Sequence, residues 1–120
     1  MVVCGGGAAG IEMAFGFKKR WSDLFKREIH VSIISNDATV LSGSDDSIRH
    51  EITQKFKEKN VDVYTNGKVK DIREDCIRLE DGRVIPCNVA VWATGAEPQK
   101  VIGRSDLDVL NGYFRVNDYM

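Results

Sequence analysis

Three consecutive glycines, Gly5-Gly6-Gly7, follow the apolar pair Val2-Val3 with only Cys4 between, and Ala8-Ala9-Gly10-Ile11 comes next. No other feature restricts the fold so much. An apolar run, a glycine turn and a helix-forming stretch read as strand, tight turn and helix. Gly5, Gly7 and Gly10 also meet the G-x-G-x-x-G spacing of a βαβ unit that holds a dinucleotide. Each glycine then has a task. Gly5 turns the chain where φ can be positive. Gly7, lacking a Cβ, lets a pyrophosphate approach the backbone. Gly10 lets the first helix lie close on its strand. The pyrophosphate sits at the helix N-terminus, where free N–H groups and the helix dipole favour negative charge. The expected cofactor-binding residues of this turn are Gly5, Gly6, Gly7, Ala8, Ala9 and Gly10. A purely structural glycine turn is the alternative, and the following segments weigh against it.

Ala8 to about Arg20 reads as helix, with Ile11, Ala14 and Phe15 on one face. Trp21, Leu24 and Phe25 extend the apolar stripe, or Ser22-Asp23 opens a separate short helix. Phe17, Trp21 and Phe25 are assigned to packing. His30–Ser35 is rich in β-branched residues and is the second strand. Ser44 is the expected N-cap of a second helix, with Asp45 and Asp46 in its first turn. Ile48, Ile52 and Phe56 form its apolar stripe to about Lys59, while Arg49, Glu51, Lys55, Lys57, Glu58 and Lys59 form a solvated face. Asn60 suits the left-handed position that ends a helix. Val61–Tyr64 is the third strand.

Asn66-Gly67 is a turn signal. Lys68–Ile72, Cys76–Leu79 and Arg83–Ile85 read as an antiparallel meander with a hairpin turn at Asp81-Gly82, and Pro86 stops further central pairing. Val89–Ala93 is a last apolar strand, closed by Thr94-Gly95. The order predicts an α/β, Rossmann-like three-layer domain: a parallel sheet plus a three-stranded antiparallel β-meander. Right-handed crossovers place the first three strands side by side. Their carboxyl ends bring Gly5–Gly10 and Ser35–Asp37 to one crevice. Ser35, Asn36 and Asp37 join the candidate cofactor-binding residues there, as do Thr94 and Gly95 at the end of the last strand. Ala96-Glu97-Pro98 leaves this unit. The expected division is therefore 1–96 and 97–120, the second part carrying a turn at Asn111-Gly112 before an alternating strand.

Composition sets the outer limits. The chain has 120 residues, enough for one domain that buries about two-thirds of its unfolded surface. A net charge of −1 provides no basic field for nucleic acid or an anionic membrane. No apolar run approaches the roughly 20 residues of a membrane helix. Cys4, Cys76 and Cys87 form no C-x-x-C pair and no metal-ligand pattern, so no disulfide chemistry, metal site or catalytic residue is expected. An odd, scattered set of cysteines suits a reducing, cytoplasmic compartment. Cys76 and Cys87 flank the hairpin and are a pair that space can bring together.

Three segments carry a family resemblance that covers nearly the whole chain. They are Val3–Glu12 (Val-Cys-Gly-Gly-Gly-Ala-Ala-Gly-Ile-Glu), Val91–Pro98 (Val-Trp-Ala-Thr-Gly-Ala-Glu-Pro) and Gly112–Asp118. The chain resembles the NAD(P)-binding domain of the pyridine nucleotide-disulphide oxidoreductase superfamily. Its pattern is nearest the type II NADH dehydrogenase-like branch, including forms joined to selenide, water dikinase. The resemblance implies that the glycine turn binds the pyrophosphate of the nicotinamide dinucleotide. It implies that Glu12 lies towards the nicotinamide and that the Ala-Thr-Gly segment marks the crossing to an FAD domain, which this chain lacks. Many members carry an acid where Ser35 stands. Asp37, with no Lys or Arg from Ser35 to Ile48, still favours NAD(H) over NADP(H). The implied function is to present the nicotinamide for hydride transfer to flavin. A non-catalytic nucleotide-binding or interaction module is the alternative.

Overall fold

The computed structural model describes residues 1–96, 98–104 and 106–119. The expectation for Glu97 lies outside the described residues. Strands β1 (Val2–Cys4), β2 (Val31–Ile34) and β3 (Val61–Tyr64) alternate with helices α1 (Ala8–Phe25) and α2 (Asp46–Glu58). The meander follows as β4 (Val69–Ile72), β5 (Cys76–Leu79) and β6 (Val84–Pro86), and β7 (Ala90–Trp92) returns to the first sheet. That sheet is parallel throughout, in the order β3-β2-β1-β7.

Side-chain alternation along the strands builds three layers. Val3 and Ile33 face the helices and pack with Ile11, Ala14, Val40 and Phe56. Val2, Cys4 and Ile34 face the other way and pack with Ile77, Leu79 and Ile85 of the meander. A sheet covered on both faces explains why β1 and β2 are apolar at every position except Ser32. The expected α/β architecture is the observed one.

Several details differ from the sequence reading. α1 is one helix of 18 residues, because nothing between Ala8 and Phe25 breaks it, and it stops at Lys26 in the left-handed region (φ 52°). Phe17, Trp21 and Phe25 form a ladder on α1, with ring centroids 5.5 Å and 6.5 Å apart. The long link to β2 is pinned by the half-buried Lys18. Its ammonium donates to the carbonyls of Ile29 (3.0 Å) and Asn60 (3.1 Å) and pairs with Glu28 (2.9 Å).

Asp45, not Ser44, is the N-cap residue of α2. The Ser44 carbonyl instead accepts from Arg49 (2.6 Å), which is thereby drawn off the solvated face. Of the α2 stripe, Phe56 is buried and stacks on Phe15 at 5.3 Å, whereas Ile48 is half exposed. Asn60 does take the left-handed conformation (φ 52°). Pro86 pairs with Cys76 as the last rung of β6, which an edge strand permits.

All three cysteines are free. Cys76 and Cys87 are neighbours across β5 and β6, where Cys76 pairs with Pro86 and the Cys87 N–H donates to the Asp75 carbonyl (2.8 Å), and the two form no disulfide. Burial first, and Cys87 second, push the Cys4 thiol up to about 11. Burial and the neighbouring Asp75 also raise Cys76. Neither thiol is a ready thiolate at neutral pH.

Beyond β7 the chain makes a 3-10 turn at Ile102–Arg104 and a hairpin of β8 (Val109–Leu110) and β9 (Tyr113–Phe114). Asn111 and Gly112 both have positive φ there, as a two-residue hairpin turn demands. Tyr113 donates to the Ala96 carbonyl (2.8 Å). Val101, Leu107, Leu110 and Val116 remain largely exposed. The radius of gyration, 17.2 Å, exceeds the roughly 14 Å of a compact domain this long, so the hairpin extends the molecule.

Candidate functional site: a crevice at the strand ends

The carboxyl ends of β1, β2 and β7 open into one crevice of about 940 Å³. Its wall includes Gly5, Gly6, Gly7, Ala8 and Ala9 on one side, Ser35, Asn36 and Asp37 next to them, and Thr94 and Gly95 at the end of β7. Ten of the twelve residues expected from sequence therefore line one cavity. Gly10 is a buried packing position outside the wall. Glu12 sits further along α1, exposed and outside the wall.

The turn is built by backbone contact. The Gly5 N–H donates to the Ile34 carbonyl (2.8 Å), and the Ala93 N–H donates to the Cys4 carbonyl (2.8 Å). Gly5 has φ +139°, and a Cβ there would collide with the Ala93 carbonyl. A Cβ on Gly10 would strike the Gly5 carbonyl, and one on Gly6 would lie 2.6 Å from the Ser35 Cβ. Gly7 is different. It is the exposed N-cap of α1, with extended backbone (φ −81°, ψ 178°), and a Cβ there would meet nothing within 4 Å. It borders open crevice.

Electrostatics favour an anion at this end. The first turn of α1 has neither an acidic side chain nor a side-chain cap on its N–H groups. Those donors stay free, as helix geometry dictates, until Ile11 bonds the Gly7 carbonyl (3.1 Å). The helix dipole adds to them.

At the other rim Ser35 is buried, and its hydroxyl is occupied: it donates to the Thr39 carbonyl and accepts from the Asp37 N–H, both at 3.3 Å. It braces the loop. Asp37, two residues on, is the one carboxylate in the described wall, and it accepts from the Ser42 hydroxyl at 2.6 Å.

Sequence reasoning missed Leu41–Ser44, Gly67, Lys68 and Val69, which also line the wall. Leu41 has positive φ (50°), and its N–H donates to the Gly6 carbonyl (2.8 Å), tying the loop to the glycine turn. Gly67 donates to the Ser35 carbonyl (2.8 Å), and a Cβ there would press on Ile34 Cγ2 at 2.8 Å. Its one visible signal was a turn after a strand whose end belongs at the same crevice.

Comparison with known proteins places this architecture. The chain is 25% identical over 133 residues to a "Probable NADH dehydrogenase" of Dictyostelium discoideum, covering 98% of this chain and 30% of that protein. It is 28% identical over 130 residues to the internal alternative NAD(P)H-ubiquinone oxidoreductase A1, mitochondrial, of Solanum tuberosum, covering 99% of this chain and 25% of that one. The chain thus spans less than a third of the length of these relatives. Among solved structures, an engineered water-forming NADPH oxidase bound to NADPH superposes with a TM-score of 0.78 at 20% identity, over 99% of this chain and 26% of that one. The sequence profile of one family matches residues 1–120 throughout. The glycine turn, the layered fold and this full-length match agree, and the chain belongs to the pyridine nucleotide-disulphide oxidoreductase family.

Proposed function

We propose that this chain is the nicotinamide-dinucleotide-holding part of an FAD-dependent NAD(P)H oxidoreductase of the NADH dehydrogenase-like kind. In this reading residues 1–96 form the nucleotide unit, and 97–120 lead towards an FAD domain of the same polypeptide. The carrying observation is the Gly7 cradle: unfilled space at a helix N-terminus with uncapped donors. The pyrophosphate sits against Gly5–Ala9. Asp37 would face the adenosine ribose, and Thr94 and Gly95 would border the nicotinamide end. Glu12 keeps the place the resemblance gives it, on the nicotinamide side. A flavin held by that domain would supply the hydride acceptor, while this chain would bind and orient the dinucleotide. A reducing, cytoplasmic compartment accords with three free thiols. A link to selenide, water dikinase is the finer placement, which the sequence of the whole polypeptide tests.

Two outcomes follow. NADH binds more tightly than NADPH by about tenfold, or roughly 1.4 kcal/mol, because Asp37 accepts from a ribose hydroxyl and repels a 2′-phosphate. Calorimetric titration of both nucleotides checks this, and tighter NADPH binding overturns it. Asp37→Asn narrows the gap. The second outcome is that the chain alone is catalytically silent. NADH oxidation with a quinone or dye acceptor matches the buffer blank without added flavoprotein. Turnover that a substitution in the crevice removes would contradict this and call for a redox site within the 120 residues.

A further inference from the structure

The described wall of the crevice carries one cation as well as one anion. Lys68 lines it, on the rim that holds Asp37. Two backbone bonds fix that neighbourhood: Asn66 N–H to the Asp37 carbonyl (2.9 Å) and Gly67 N–H to the Ser35 carbonyl (2.8 Å). The Lys68 backbone is fixed as well, since its carbonyl accepts from the Glu80 N–H at 2.9 Å. Its root is therefore held beside the adenosine end, while its four-carbon stem leaves the ammonium free to swing.

In the structure that ammonium pairs with Glu80 at 2.9 Å. Both side chains are more than half exposed (65% and 52%), so water screens the pair and it holds Lys68 weakly. A phosphate monoester carries close to two negative charges and three acceptor oxygens. It outcompetes one screened carboxylate for the same ammonium.

Resting on the nucleotide reading above, we infer that Lys68 is a specificity-determining residue of the crevice. It serves the 2′-phosphate of a phosphorylated dinucleotide, and Glu80 holds it in reserve. Asp37 and Lys68 then oppose each other across one rim. Asp37 selects the free ribose diol, and Lys68 sets how far a 2′-phosphate is tolerated. The loop after β2, where Ser35 to Ile48 holds no Lys or Arg, leaves that part to the β3–β4 connection.

The test is titration of NADH and of NADPH into the unmodified chain, Lys68→Met and Glu80→Gln. Lys70→Met, on β4 and outside the wall, is the control. Circular dichroism verifies that each variant is folded, which the exposure of these side chains favours. Lys68→Met is expected to weaken NADPH about fivefold and move NADH by less than about twofold, the scale of one screened charge pair. Glu80→Gln is expected to tighten NADPH alone, and Lys70→Met to change neither. The NADPH effect shrinks as salt rises. Equal shifts in both nucleotides, or none in either, overturn the assignment of Lys68 and leave the nucleotide reading standing. An unmodified chain that takes up neither nucleotide overturns that reading, and this inference with it.

Discussion

Gly10→Ala is expected to destabilise the chain by about 3 kcal/mol, whereas Gly16→Ala is expected to stabilise it by about 0.5–1 kcal/mol. Both glycines lie in α1 and both changes add one methyl group. On helix propensity alone the two substitutions carry the same favourable sign. Their surroundings separate them. The Gly10 Cβ would fall on the carbonyl of Gly5, a backbone atom that cannot rotate away, with the Gly5 carbonyl carbon at 3.0 Å. Gly5 is itself fixed by its bond to Ile34 and by close contact with Ala93. Relief would require α1 to lift off β1 and disturb the Val3–Ile11–Ala14 packing. Gly16 is exposed, and a Cβ there meets nothing within 4 Å. Thermal unfolding measures both. The Gly10 variant should lose about 10 °C in midpoint, while the Gly16 variant gains a few degrees. Equal signs would show that α1 does not sit on the glycine turn as described.

The parts of the fold that depend on local chemistry were legible. Val61–Tyr64 runs as read, because β-branched residues lie between Asn60, which stops a helix, and the Asn66-Gly67 turn. The meander was legible for the same reason, with Gly82 at φ +92° in its hairpin. What depends on distant contacts was not. The length of α1 was ambiguous because Lys26, not a glycine, takes the left-handed stop. The loop 36–44 gave no periodicity. Its shape comes from buried Val40 and from Leu41, whose strained φ is held by the Gly6 carbonyl.

The site followed the same divide. The glycine turn was legible because its spacing sets the close approach of α1 to β1 that Gly5 and Gly10 allow. Ser35 was read from its place at a strand end, but strand alternation carries its side chain under Gly6, where the loop backbone occupies the hydroxyl. Lys68 gave no signal within its own segment. Only the parallel alignment of β2 and β3 brings the residues after Tyr64 to the rim of Asp37. Residues on one local motif can thus be read from spacing, while those brought together by sheet order require the sheet.

Gly7→Val is expected to weaken dinucleotide binding at least a hundredfold, about 2.7 kcal/mol, and to leave the fold intact. The argument is the converse of the one for Gly10. The Gly7 backbone has extended dihedrals that a β-branched residue adopts without strain, and its Cβ would enter open space. Nothing in the protein resists the new side chain. The cost to folding is that of a poor N-cap, about 1 kcal/mol or less, since Gly7 makes no side-chain cap bond to lose. The ligand meets the opposite situation. The space the isopropyl group fills is the space through which a pyrophosphate reaches the free N–H groups of α1's first turn. Distance costs twice there, because those bonds are charge-assisted and the helix field falls off within one turn. Titration of NADH into the folded variant, with its thermal midpoint as companion, gives the decisive pair of numbers. Lost binding at a near-normal midpoint places the phosphate on this loop. Unchanged binding would remove the glycine turn from the site and leave Gly7 as a turn residue only.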